Sequence, residues 1–305
     1  MKTLLKTVSV VALGFAASTA PAMAADDTLK IGMTFQEMNN PYFVSMQEAL
    51  KEAADFLGAE LVITDAGHDV AKQLSDVEDM LQQDIDILLL NPTDSAGIEA
   101  AVQMAKDAGV IVVAVDANAN GPVDTFVGSK NRDAGYMSCK YLADELGGDG
   151  EVAILDGIPV IPILERVEGC KAALDEYDGI TLVDVQNGRQ DRSVALGVVE
   201  NMIQSHGDLK GIFSVNDGGA MGALAAIQGS GRDIKLTSVD GAPEAVDAIA
   251  KGTPFIETTA QFPRDQVRVG LGMALAQLWG ARVVPAEVPI DVMVVDSKNA
   301  ADFGW

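Results

Sequence analysis

Leu29-Lys30-Ile31-Gly32-Met33-Thr34-Phe35, followed by Gln36-Glu37-Met38-Asn39-Asn40-Pro41-Tyr42-Phe43, is the stretch from which the fold is read. The first seven residues form an apolar run of strand length, and Val44 to Leu57 carries amphipathic helical spacing. Residues 36–43 are therefore predicted as the turn at the carboxyl end of a first strand. In open parallel α/β sheets, ligands bind outside the carboxyl ends of the strands. This turn offers the amides of Asn39 and Asn40, each both donor and acceptor, and the flat rings of Tyr42 and Phe43. Pro41 removes a donor and stiffens it. Amides beside aromatic faces suit a ligand with hydroxyls on its edge and C–H groups on its face. The same residues equally suit a helix N-cap with the rings in a core.

Outward from this turn, short apolar strands alternate with helices, the signature of parallel βαβ units. Strands are predicted over Ala59–Asp65, Ile85–Leu90 (ending at Asn91-Pro92) and Val110–Val115 (ending at Asp116), with helices over Ala71–Gln83 and Ser95–Ala108. The pattern then restarts: strands over Glu151–Leu155, Ile180–Val185, Gly211–Val215 (ending at Asn216-Asp217) and Ile234–Val239 (ending at Asp240), helices over Glu165–Tyr177, Ser193–Ser205 and Ala220–Gln228. Phe255–Gln261 reads as a further strand, Asp265–Trp279 as a helix and Val288–Val295 as one last strand. Asn91 and Asp116 lie 25 positions apart, Asn216 and Asp240 lie 24 apart, and each pair closes two apolar strands around a helix. The reading is an internal duplication of a doubly wound α/β unit, with strand ends of the two lobes facing across a cleft. No linker rich in Gly, Pro or Ser joins the halves, so the hinge is expected to consist of short crossings.

Met1 to Ala24 stands apart from this pattern. Lys2 and Lys6 precede an apolar centre, Val8 to Ala17, and Ala22-Met23-Ala24 is a small-x-small cleavage site. The apolar run is too short for a stable anchor, so an export signal is expected, and with it a Gram-negative periplasm. The 281 residues that follow suit two domains with sizeable cores. The net charge is −24, and −26 once the two leading lysines are removed, a balance that repels nucleic acid and anionic membranes. Cys139 and Cys170 both fall in stretches of helical character; export permits a disulfide, while two buried thiols are an equal reading. His68 and His206 have no clustered second ligand, so no metal and no other cofactor is expected.

Five ordered segments, "MNNPYFVSMQEALKEAADFLG", "LLLNPTDSAGIEAAVQMAKDAGV", "VND…MGALAAI", "VDGAPEAVDAI" and "TTAQFPRDQ", resemble the ribose-binding-type periplasmic sugar-binding proteins, the receptors of carbohydrate ABC transporters. The resemblance runs from Leu29 to about Val295. It implies an α/β fold of two doubly wound parallel-sheet lobes, joined by a three-crossing hinge near Ser129, Phe262 and Asp291. The N-terminal lobe would be 25–129 and 262–290, the C-terminal lobe 130–261 and 291–305. It implies ligand contacts from Asn40, the aromatic pair Tyr42 and Phe43, Asp116, Arg166, Asn216, Asp240 and Gln261. The chemistry agrees, since amides both donate and accept to hydroxyls and Asp and Arg add charged partners. Each residue also has a structural use: Asp116 and Asp240 as turn caps, Arg166 in a salt bridge, Asn216 at a strand-end turn.

Three positions depart from the ribose-type pattern. Ala117 stands where an Arg is usual, Gln190 where a second-lobe aromatic is usual, and Gln36 where a small hydroxyl residue is usual. Gln36 and Gln190 are added to the expected contacts, and a neutral ligand of about four to six carbons is expected. A sugar alcohol or a monosaccharide other than ribose is favoured over ribose. The expected partners are that ligand and an inner-membrane ABC permease, with a chemoreceptor as an alternative, and the chain is expected to act as a monomer. A nucleotide-cofactor enzyme is disfavoured, because "GLGMAL" at Gly270 lies within helical sequence and lacks the fingerprint spacing. A regulator of the same fold would need a basic helix-turn-helix where the export signal stands.

Overall fold

A computed structural model describes residues 28–305; the segment Met1–Ala24, expected to direct export, lies outside the described residues. The first half runs β1 (Lys30–Phe35), α1 (Pro41–Leu57), β2 (Glu60–Asp65), α2 (Val70–Leu81), β3 (Ile87–Leu90), α3 (Glu99–Asp107), β4 (Ile111–Val115) and β5 (Thr125–Ser129). The second runs α4 (Asn131–Glu145), β6 (Asp149–Asp156), α5 (Ile161–Leu174), β7 (Gly179–Asn187), α6 (Arg192–Ser205), β8 (Leu209–Ser214), α7 (Asp217–Ser230), β9 (Lys235–Asp240), α8 (Pro243–Ala250) and β10 (Phe255–Ala260). After these come α9 (Pro263–Leu278), β11 (Glu287–Ile290) and β12 (Met293–Asp296).

The strands form two six-stranded sheets, in the orders β11-β5-β4-β3-β1-β2 and β12-β10-β9-β8-β6-β7. The two orders correspond element by element, as the duplication in the sequence requires. Strand pairing is parallel except where β12 meets β10. The chain passes between the sheets after β5, after β10 and between β11 and β12. Each sheet is covered on both faces. Around the first, α1 and α9 close one core and α2 and α3 the other. Around the second, α6, α7 and α8 close one core and α4 and α5 the other. Central strands such as β3 and β4 are buried along their whole length, which is why they read as unbroken apolar runs.

The structure corrects several sequence expectations. The single last strand over Val288–Val295 is two strands, one in each sheet, because the chain crosses at Asp291-Val292. Helix α1 starts at Pro41 rather than Val44, so Tyr42 and Phe43 belong to its first turn. Strand β5 and helices α4 and α8 were not anticipated. Helix α4 hides from an apolar-periodicity reading because its buried face is made of small residues: Ala134, Gly135, Ser138, Cys139 and Ala143, with only Leu142 large.

That face has a purpose. A Cβ at Gly135 would come within 1.9 Å of the Arg166 carbonyl oxygen, and one at Gly169 within 2.0 Å of the Arg132 carbonyl oxygen. Helices α4 and α5 thus touch backbone to backbone, which only glycine permits. Cys139 and Cys170 lie on these same faces with Cα atoms 5.0 Å apart and form a disulfide, resolving the alternative left open by the sequence. The clamped pair fixes the height at which α5 presents Arg166.

Candidate functional site

The β1–α1 turn is built as a helix start. Asn40 is the N-cap of α1, its side-chain oxygen accepting from the Tyr42 N–H at 3.0 Å, and Pro41 takes the first helical position. Capping drives the next two side chains down against the sheet. Tyr42 and Phe43 are 2% and 3% exposed and meet edge to face at 5.3 Å. The cap reading of this stretch therefore holds, and the rings are core residues on one side and line a cavity on the other.

At the end of β4, Asp116 sits at φ +69°, a left-handed conformation that a non-glycine residue adopts at some cost. Tyr42 donates its hydroxyl to Asp116 Oδ1 at 3.0 Å, and Asn91 donates its amide to Oδ2 at 3.1 Å. Both donors are neutral. Burial therefore dominates and pushes the Asp116 carboxyl up to about 6, although Arg166 across the cleft opposes the rise. Gln36 donates its backbone N–H to Asn91 Oδ1 at 3.1 Å, and its own side-chain oxygen is buried without a partner.

The second half answers with a guanidinium. Arg166 is 4% exposed; its Nε donates to Asn131 Oδ1 at 2.9 Å, and its Nη1 to the Val215 carbonyl at 2.8 Å and to Asp240 Oδ1 at 3.3 Å. Asp240 ends β9 at φ +142° and also accepts from Gln261 Nε2 at 2.8 Å and the Asp217 N–H at 3.3 Å. Burial raises its carboxyl and Arg166 opposes that. Tyr42 Oη also stands 3.5 Å from Gln261 Oε1, but its one hydrogen is given to Asp116, so the polar groups of the two halves meet there without a shared hydrogen bond.

Nine of the ten expected residues line one inner cavity: Gln36, Asn40, Tyr42, Phe43, Asp116, Arg166, Gln190, Asp240 and Gln261. Gln190 reaches it from a turn at φ +57°, accepting from the Ile158 N–H at 3.3 Å. Asn216 does not line it. Asn216 caps α7, its Oδ1 accepting from the Gly219 N–H at 3.0 Å, while its Nδ2 is buried without a partner. The sequence reading missed Val160, Pro162 and Ile163, which form the aliphatic wall facing the rings. The signal was the apolar run Ile158 to Leu164, which opens α5 four residues before the predicted start. Among the described residues no cluster of His, Cys, Asp or Glu is placed to hold a metal.

The inner cavity measures about 20 Å³, room for roughly one water-sized sphere. Beyond it lies an open cavity of about 800 Å³, also between the halves, which shares Asn40, Gln190 and Asp240 and adds Glu37 and His68 on one wall and Arg189 and Asp217 on the other. A ring-sized molecule reaches the inner residues only if the halves part. The arrangement is that of two jaws carrying neutral amides, two carboxylates and one guanidinium, with aromatic and aliphatic faces between them.

Comparison with known proteins agrees with this architecture. A family model described as "Periplasmic binding protein domain" matches residues 31–282. The ribose import binding protein of Bacillus subtilis is 40% identical over 235 residues, covering 76% of each chain. The crystal structure of a periplasmic solute-binding protein from Actinobacillus succinogenes with bound D-allose superposes with a TM-score of 0.86 at 28% identity, covering 90% of this chain and 100% of that one. A solute-binding protein from Mycobacterium smegmatis with bound glycerol gives a TM-score of 0.86 at 32% identity, covering 90% and 96%. With the sheet order, the cleft and these matches in hand, the chain belongs to the periplasmic binding protein domain family and is of the ribose-binding type, a binding protein rather than an enzyme.

Proposed function

We propose that this protein binds a small neutral monosaccharide or sugar alcohol in the periplasm and delivers it to the permease of an ABC transporter. The observation that carries the reading is the inner cavity, where strand ends, turns and the start of α5 from two duplicated halves present amides, carboxylates and a guanidinium to one point. Amides serve hydroxyls as donors and acceptors, Asp116 and Asp240 accept, and Arg166 donates. Tyr42 and Phe43 on one jaw and Val160, Pro162 and Ile163 on the other cover the C–H faces of the ligand. Relatives that carry ribose, D-allose and glycerol in their names or structures bound the same chemical class. Ala117 leaves the site without a second guanidinium beside Asp116, which favours neutral over anionic sugars.

Because the inner cavity is smaller than any sugar, binding proceeds by opening and reclosure of the jaws at the three chain passages. The closed face is then what the permease recognises. A thermal-shift panel of pentoses, hexoses, tetritols, pentitols, hexitols and inositols tests the ligand class, since a ligand that binds only the folded state raises the melting temperature. At least one member should give a clear rise and a smaller radius of gyration in solution scattering. No rise across the panel overturns the carbohydrate reading. A largest rise with ribose overturns the preference drawn from Gln36, Ala117 and Gln190.

A further inference from the structure

Trp305 lies beyond β12, in a segment that packs on the second half. The short helix Ala300–Asp302 and Phe303 join the core beneath α8. Trp305 itself reaches the other way. Its ring packs against the core of the first half, 5.7 Å from the Tyr42 ring at an interplanar angle of 81°. Its indole Nε1 donates to the backbone carbonyl of Asp240 at 3.2 Å, an oxygen that also accepts from the Gln261 N–H at 2.9 Å. Asp240 holds φ +142° at this point, so two donors fix a backbone that would otherwise relax. One half-buried side chain thus touches both a ring of the first jaw and the main chain of a carboxylate on the second. It lines neither cavity.

We propose that Trp305 is a positioning residue of the cleft: it aims Asp240 through its carbonyl and meets the edge of Tyr42 only when the jaws are closed. Opening carries Tyr42 away from Trp305 while the bond to Asp240 travels with the second half. The indole therefore stabilises the closed, ligand-holding state and slows release without touching the ligand. This role rests on the carbohydrate reading given above.

The test uses the full chain. Trp279 is 73% exposed, so Trp279→Phe leaves Trp305 as the sole indole of the two tryptophans at little structural cost. D-ribose, D-allose, xylitol and myo-inositol are added singly, with melting temperature, Trp emission and dissociation rate recorded. A probe that stabilises the Trp279→Phe protein should also shift its emission, because the environment of Trp305 changes on closure. Trp305→Phe keeps an edge-on ring and loses the donor; its affinity for that probe should fall about fivefold. Trp305→Ala loses both contacts and should fall about 30-fold, mostly as faster dissociation. Unchanged dissociation in Trp305→Ala, or emission that ignores a stabilising probe, overturns the role. If none of these four stabilises the unmodified protein, the member of the wider carbohydrate panel that does becomes the probe; if no member does, the carbohydrate reading falls and takes this role with it.

Discussion

The two strand-end pairs Asn91/Asp116 and Asn216/Asp240 are near copies in sequence and different machines in space. In the first half, Asn91 binds Asp116 directly, at 3.1 Å, and also accepts from the Gln36 N–H, so the Asn is scaffold and the Asp is held by neutral donors. In the second half, Asn216 caps a helix and leaves Asp240 to Arg166, Gln261 and the Asp217 N–H. Duplication conserved the positions of the side chains at strand ends, and the neighbours decided their work. One jaw is a carboxylate poised near neutrality; the other is an ion pair in a dense polar bed. The first jaw thus offers an acceptor held by neutral donors, and the second a charged donor beside its counter-charge.

The ion pair is where the contrast breaks most easily. Arg166→Ala removes the guanidinium from a bed where Asp240 and the Val215 carbonyl are buried around it. Leaving a buried charge unpaired costs about 3–5 kcal/mol. Urea denaturation at pH 7 should show a loss of that order, with ligand affinity abolished. A loss below about 1 kcal/mol would mean that Asp240 is held by its neutral donors, as Asp116 is, and the asymmetry is only apparent.

A second difference lies beneath the site. Among the described residues, buried carboxyls away from the cavity walls occur in the second half alone, and Glu257 is the deepest, fully buried between Ser138 and Thr259. Burial pushes its carboxyl up to about 8. Ser138 has one hydroxyl hydrogen and two acceptors in reach, the Ser238 carbonyl at 3.1 Å and Glu257 at 2.8 Å, which a protonated Glu257 reconciles by donating. A carboxyl raised on folding binds more protons folded than unfolded, so stability falls as pH climbs from about 4.5 to about 8 and is level beyond. Glu257→Gln supplies a permanent donor. It should flatten that fall and gain roughly 3 kcal/mol over the parent at pH 8, read from urea midpoints across pH.

Paired substitutions at the two carboxylates sharpen the comparison further. Asp116→Asn removes a charge whose ionisation costs stability between about 4 and about 6, so above pH 6 the unliganded variant should be as stable as the parent or gain roughly 2 kcal/mol. Asp240→Asn deprives Arg166 of its counter-charge and should lose roughly 2 kcal/mol. Both should weaken the ligand by about two orders of magnitude in calorimetry, since each removes a buried charged partner. Equal stability effects would put the two carboxylates in equivalent environments after all.

These contrasts also mark how far the sequence could be read. The duplicated two-lobe α/β plan followed from apolar strands at even spacing, and the nine cavity-lining residues from the family resemblance together with polar and aromatic side chains near the strand ends. What escaped had no such signal. Helix α4 packs with glycine and alanine, so its buried face is invisible to hydropathy. The stretch Val288–Val295 is apolar apart from Asp291, and a periodicity reading runs one strand through that residue although it marks the crossing that splits the stretch between the sheets. Ile163 and its neighbours were passed over, because an aliphatic wall that lines a cavity has the same sequence as one that meets a sheet. Trp305 lay outside every repeat. Asn216 was placed with the site by the family resemblance, and its place at a strand end, repeated from Asn91, reports the fold before it reports the ligand.

Asn216 therefore gives the finest test. Its Oδ1 is committed to the Gly219 N–H, while its Nδ2 is buried with no partner, a donor free to meet a ligand hydroxyl once the jaws part and reclose. Serine is as good a cap as asparagine but carries no amide hydrogens to spare. Asn216→Ser should leave unfolding free energy within about 0.5 kcal/mol of the parent, since the cap survives. Ligand affinity should drop about tenfold, the worth of one hydrogen bond to a neutral group. Calorimetry and urea denaturation on the same preparation separate the two effects. A stability loss with affinity intact would assign Asn216 to α7 alone, and would show that the second copy of the motif kept its cap and gave up its place in the cleft.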